Sequence, residues 1–197
     1  ISGLVGRILF STVGVNGAHL ASDIAWWAHN LVILAFLNVL PLSKHFHVIT
    51  GIPNVFFKKT EPTGALDKMD LENSERFGTS QIDQFSWKQV LDMFSCTECG
   101  RCSSQCPATA SGKPLAPRQL LLNLRDYLYE HPEQMLAKGD AEGNGVVKEN
   151  IVGSAIQDEV LWSCTTCRAC EDACPVQIEH VDKIVDMRRH LVQEEAR

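Results

Sequence analysis

Eight cysteines fall into two copies of a single spacing, with none left over. The first copy reads Cys96-x-x-Cys99-x-x-Cys102-x-x-x-Cys106-Pro107 and the second Cys164-x-x-Cys167-x-x-Cys170-x-x-x-Cys174-Pro175. Three thiolates set two residues apart in a tight coil can close on one face of an iron–sulfur cube. The fourth lies three residues on, is followed by a helix-breaking proline, and points away to serve the other cube. The spacing therefore predicts two [4Fe–4S] clusters with crossed ligation. Cys96, Cys99, Cys102 and Cys174 hold cluster 1; Cys164, Cys167, Cys170 and Cys106 hold cluster 2. Disulfides suit short secreted domains with scattered cysteines, whereas these are clustered and no secretory signal precedes them. Zinc commonly takes two separated C-x-x-C pairs, a poor fit to a run of three equal spacings given twice. Iron–sulfur clusters are assembled in a reducing compartment, which places the cysteine domain in the cytosol.

The net charge of −6 is unevenly spread. Residues 1–60 carry four basic side chains against one acid, a net +3, and the remaining residues carry 14 against 23, a net −9. An acidic cluster domain with no basic stripe excludes nucleic-acid binding. No Ser/His/Asp constellation, phosphate loop or dinucleotide fingerprint supports hydrolase, kinase or nicotinamide chemistry. The chain opens at Ile1 and ends within a charged helical pattern, which suggests a segment of something longer.

From Ile24 to Ser43 no residue is charged. Twenty helical residues reach about 30 Å, the thickness of a bilayer core. Trp26 and Trp27 sit at one end of this run, where an aromatic belt belongs. Lys44, Lys58 and Lys59 follow the other end and orient it toward the cytoplasm. The competing reading is the core helix of a soluble domain. His29 and His47 stand 18 residues apart, five whole turns, on one face and roughly 27 Å apart along the axis of an unbroken helix. Such a pair suits ligation of two stacked haems, each completed by a histidine from another helix. The plainer alternative is a His29 bonded within a bundle and an interfacial His47.

Residues 50–84 hold Pro53, Pro62, Gly64 and Gly78 with little periodicity, and read as an extended linker. Val55-Phe56-Phe57 within it reads either as an interfacial anchor or as a loop packed on the soluble domain. Helical periodicity then predicts a helix over 85–94 and another from Pro117 to about Tyr129, with Leu120, Leu121, Leu124 and Leu128 inward. A short helix over 156–162 and a C-terminal helix with Ile178, Val181, Ile184, Val185 and Leu191 on one stripe complete the pattern. The 57 residues between the two runs (107–163) are more than a compact cluster domain needs, so helices should cover the clusters. Asp140-x-Glu142-x-Asn144-Gly145 opens like a calcium loop, but Ile151 occupies the twelfth position, and the segment reads as a surface turn. The expected fold is mostly α: residues 1–49 a membrane segment, 50–84 a linker, and 85–197 an α-helical domain holding two clusters.

Two stretches carry a family resemblance. Cys96-Thr97-Glu98-Cys99-Gly100-Arg101-Cys102 and Cys164-Thr165-Thr166-Cys167-Arg168-Ala169-Cys170-Glu171, within residues 85–190, resemble the α-helical ferredoxin domain of heterodisulfide-reductase-related iron–sulfur oxidoreductases. Trp26-Trp27-Ala28-His29, Ser43-Lys44-His45-Phe46-His47 and Pro53-Asn54-Val55-Phe56-Phe57 resemble the last span of a nitrate-reductase gamma-like cytochrome b. The combination is similar to membrane oxidoreductases that add cysteine-rich CCG domains downstream. The resemblance implies electron transfer between a soluble partner, such as electron-transfer flavoprotein, and membrane b haems with the quinone pool. It also implies His29 and His47 as haem b ligands and a cell inner membrane location with the cluster domain facing the cytoplasm. Upstream cytochrome b helices and downstream CCG domains would be partners, and any catalytic site would lie outside this sequence. The alternative is a soluble iron–sulfur subunit of a hydroxy-acid oxidase or heterodisulfide reductase. A structural zinc scaffold is the third reading, of a different class.

Overall fold

The computed structural model describes residues 2–62, 64–72, 76–136 and 148–197. It divides into two compact units, Ile1–Phe46 and His47–Arg197. The fold is mostly helical, and β structure among the described residues is a single bridge between Val152 and Ile156.

The first unit is built on α1 (Ser2–Val39), which is interrupted at Gly14 (φ 69°, ψ 173°). That backbone conformation is open to glycine and closed to most other residues. From Gly14 to Leu42 the chain is long and apolar enough to cross a bilayer. Only 6% of its most apolar window is buried, with Ile24, Trp26, Leu31, Leu34 and Phe36 all exposed. A core helix of a soluble domain buries that face; this one presents it on every side. Its amides bond back onto their own helix, Asn30 Nδ2 donating to Trp26 O (2.7 Å) and Asn38 Nδ2 to Leu34 O (2.8 Å). Polar groups satisfied within the element suit a medium that offers no hydrogen bonds. Pro41 has no N–H to give, and the helix ends there in two 3-10 turns, Leu40–Leu42 and Lys44–Phe46. The unbroken rod that would phase His29 with His47 is therefore absent: the two lie in separate helices.

The second unit begins with α2 (His47–Phe56), so the segment after residue 47 is helical before it becomes extended. The reason is long-range docking. Thr50 Oγ1 donates to Phe94 O (2.9 Å), Ser95 Oγ donates to Thr50 O (3.0 Å), and Asn54 Nδ2 donates to Val176 O (2.8 Å). Phe57 stacks edge-on against Trp87 (5.1 Å), while Phe56 stays exposed. Helix α3 (Trp87–Ser95) starts with a capping box between Ser86 and Gln89, each side chain accepting from the other's backbone N–H. Short helices α4 (Arg101–Ser104) and α5 (Pro107–Ala110) lead to α6 (Pro117–Glu130). Proline opens α5 and α6, at a position whose N–H would be unpaired anyway. Helix α7 (Pro132–Leu136), the distorted turn α8 (Ile151–Ser154), α9 (Asp158–Trp162), α10 (Ala169–Asp172) and α11 (His180–Gln193) follow. The Asp140–Gly145 turn lies outside the described residues.

The long helices α6 and α11 bury the stripes that periodicity assigns them: Leu120, Leu121 and Leu124 from one, Val181, Ile184 and Leu191 from the other. Leu128 and Val185 are only partly buried. With Ile82, Met93 and Leu161 they form the packed interior that holds the two cysteine coils in place.

Candidate metal centre

Each cysteine run folds as the same coil. In the first, Glu98 (φ 56°) and Gly100 (φ 79°) adopt the left-handed conformation; in the second, Thr166 (φ 55°) and Arg168 (φ 60°) do so at the same two offsets. Left-handed residues alternating with ordinary ones turn successive N–H groups toward one side and make a nest for an anionic group. Non-glycine residues held this way cost of order 1–3 kcal/mol each and cluster at functional sites. Thr166 N donates to Cys164 Sγ (3.3 Å), and Ile178 N donates to Cys174 Sγ (3.4 Å).

The two coils frame two small cavities. The first is lined by Cys96, Cys99, Cys102 and Cys174, and the second by Cys164, Cys167, Cys170 and Cys106. Each cavity thus draws three cysteines from one run and the last cysteine of the other. Burial, then the nearby Cys102 and Cys174, push the Cys96 thiol up to about 11. Burial likewise raises Cys102, Cys164 and Cys170. Cys99 is lowered by the Arg101 N–H, and it and Cys167 are the exposed members of their sets.

Among the described residues no three or more Cys, His, Asp or Glu side chains converge as a single ion requires. Four thiols ranged around a cavity fit a polynuclear cube, in which each binds a different iron. The N–H donors of the nests suit the negative charge of such a group.

Contacts from neighbouring elements hold the coils in place. Arg188, on α11, donates through Nε to Leu161 O (3.0 Å) and through Nη2 to Cys164 O (2.5 Å), and its guanidinium lies 5.1 Å from the Trp162 ring centroid. Arg168 is held by Glu171 (3.0 Å), Asp182 (3.1 Å) and Ala65 O (3.2 Å), so this cation is spent inside the fold and not displayed to a partner. Glu98 pairs with Arg125 (2.7 Å), which keeps its carboxyl low. Behind the first cavity, fully buried Lys183 pairs with fully buried Asp92, which also meets Lys88 (2.7 Å). Burial pushes the Asp92 carboxyl up, yet Lys183 and Lys88 outweigh it and hold the group low. His180 lines the same cavity; burial, then the Lys183 ammonium, push its imidazole down to about 3. Sequence spacing singled out neither His180, Lys183 nor Asp92, because a polar residue at a helix-core position has no local signature.

The two histidines singled out in the sequence are not brought to the cysteines as ligands. His29 is exposed in the first unit. His47 is half-buried in the second unit.

The family described as "4Fe-4S dicluster domain" matches residues 88–175. Over 96% of its length the chain is 41% identical to the "Probable iron-sulfur-binding oxidoreductase FadF" of Bacillus subtilis. It is 32% identical over 93% of its length to the "EtfAB:quinone oxidoreductase" of Syntrophomonas wolfei, and 38% identical over 98% to a "Probable membrane-anchored ferredoxin" of Chromohalobacter salexigens. These alignments cover 31%, 28% and 30% of the respective relatives, so the chain spans about three-tenths of their length. No solved structure matches it.

Proposed function

We propose, from the match of residues 88–175 to the 4Fe-4S dicluster family and from its iron–sulfur relatives, that this chain is an iron–sulfur protein of the heterodisulfide-reductase-related kind that relays electrons between a soluble redox protein and a membrane acceptor. The observation that carries this reading is the pair of cavities, each ringed by a crossed cysteine quartet. Cys96, Cys99, Cys102 and Cys174 hold cluster 1, and Cys164, Cys167, Cys170 and Cys106 hold cluster 2. When bound, each cluster takes up and gives back one electron at a time. The chain's own residues fix the separation of the two sites, exclude water from the buried thiolates, and leave Cys99 and Cys167 at the surface as points of approach.

Residues 1–49 serve as the membrane segment, 50–84 as the linker and 85–197 as the cluster domain. The exposed apolar helix supports membrane insertion, and Lys44, Lys58 and Lys59 support a cytoplasmic face for the cluster domain at the inner membrane. A relative named for EtfAB and quinone supports electron-transfer flavoprotein as the soluble partner and the quinone pool as the far end. Haem b ligation by His29 and His47, with histidines from upstream spans, extends the reading. It rests on the cytochrome resemblance alone, since the helix break at Pro41 removes the shared face. Downstream CCG domains or subunits complete the assembly.

Anaerobic loading of the full chain with iron and sulfide tests the ligation. Two clusters that bleach with dithionite are expected, and Cys174→Ser removes the same cluster as Cys96→Ser and leaves the other. Were Cys106→Ser instead to remove the cluster that Cys96→Ser removes, the crossed assignment would be wrong. Were no cluster to form in the unaltered chain, the relay itself would fail.

A further inference from the structure

His180 is 1% exposed and opens α11 just after the second cysteine run. It lines the cavity ringed by Cys96, Cys99, Cys102 and Cys174. Both of its ring nitrogens, Nδ1 and Nε2, are buried without a hydrogen-bond partner. A neutral imidazole always carries one N–H, and a buried donor left unpaired is rare in a folded protein. The cavity it faces is where thiolate and sulfide acceptors would sit. The other half of the duplication offers nothing comparable. Six residues after Cys174 stands His180; six after Cys106 stands Gly112, and the second cavity is lined by Leu115 and Ile184 with no histidine.

We propose that His180 donates a hydrogen bond to the cluster held by Cys96, Cys99, Cys102 and Cys174, and so sets the potential of that cluster above the value its cysteines alone would give. The inference rests on the cluster assignment above. A donor to cluster sulfur stabilises the more negatively charged reduced form, so its loss lowers the potential. The asymmetry makes the two clusters unequal and gives the electron a preferred resting place on the cluster beside His180. His180 acts here as a tuning residue and is not a ligand.

The test is a redox titration, read by electron paramagnetic resonance, of the full chain carrying both clusters. In His180→Phe one cluster's reduction equilibrium falls about tenfold, 59 mV for one electron, while the other is unmoved. His180→Gln, which keeps an N–H, recovers part of the loss. If His180→Phe retains both clusters with both potentials unchanged within twofold, the proposal is overturned. If His180→Phe fails to assemble, the unaltered chain labelled with ¹⁵N-histidine decides by pulsed resonance. A histidine nitrogen coupled to one reduced cluster supports the proposal, and no coupling to either overturns it. Absence of clusters in the unaltered chain overturns the underlying reading instead, and this inference with it.

Discussion

A lysine with no exposed surface needs a reason to stay charged, and Lys183 has two: the Asp92 carboxylate and the Glu179 carbonyl, which accepts from Nζ at 2.9 Å. Taking one partner from a buried pair leaves an uncompensated charge, at a cost of about 3–5 kcal/mol. Lys183→Met is expected to lower stability by that amount, measured as the denaturant midpoint of the cluster-loaded chain. Asp92 itself would keep Lys88 and the Glu179 N–H. Its folded pKa is depressed, so the stability it contributes is present above the unfolded value of about 3.9 and is lost as pH falls through the folded one. In Lys183→Met the depression shrinks, and acid loss of structure, followed by circular dichroism, begins at higher pH. Replacing both Lys183 and Asp92 with apolar residues of similar volume should restore much of the loss, because no lone charge then remains.

Gly78 shows how the linker element is held. Its φ is +74°, and a Cβ there would lie 2.3 Å from Asp186 O and 2.3 Å from His190 N on the backbone of α11. Neither neighbour can move without disturbing the helix. Next to it Thr79 N donates to Asp186 O (3.0 Å), and Ser80 O accepts from Ile151 N (2.8 Å). Gly78→Ala is expected to cost on the order of 3 kcal/mol through overpacking and left-handed strain, with faster proteolysis in the linker as the readout. This explains why the helices were legible in the sequence and the linker was not. Helices α3, α6 and α11 announce themselves through apolar spacing within a few turns. The linker's order comes from single hydrogen bonds of its backbone to residues about 70 to 120 positions away, such as Lys59 N to Glu179 Oε1 (2.8 Å). No local period records such a bond. The cysteine coils were legible for the opposite reason, since ligand spacing is written directly into the chain. His180, six residues beyond the last cysteine, reads locally as one more position in α11.

For the molecule as a whole, the two-unit division makes a clean prediction. Residues 47–197 alone should remain in solution without detergent and keep both clusters, whereas the full chain should float with lipid vesicles on a density gradient. A full chain that stays in the aqueous fraction with its clusters intact would support the soluble-subunit reading instead. The crossed quartets have one more consequence. Each cluster, joining Cys174 to Cys96–Cys102 or Cys106 to Cys164–Cys170, closes a loop of about 60–70 residues and so works as a staple. By analogy with a disulfide closing a comparable loop, each would confine the unfolded chain by about 4 kcal/mol. Folding and cofactor assembly are then coupled, and oxygen damage to either cube loosens the fold around the one that stays bound. A chain that has lost one cube is then less stable than the intact one, and is exposed to proteolysis while the remaining cube is still held.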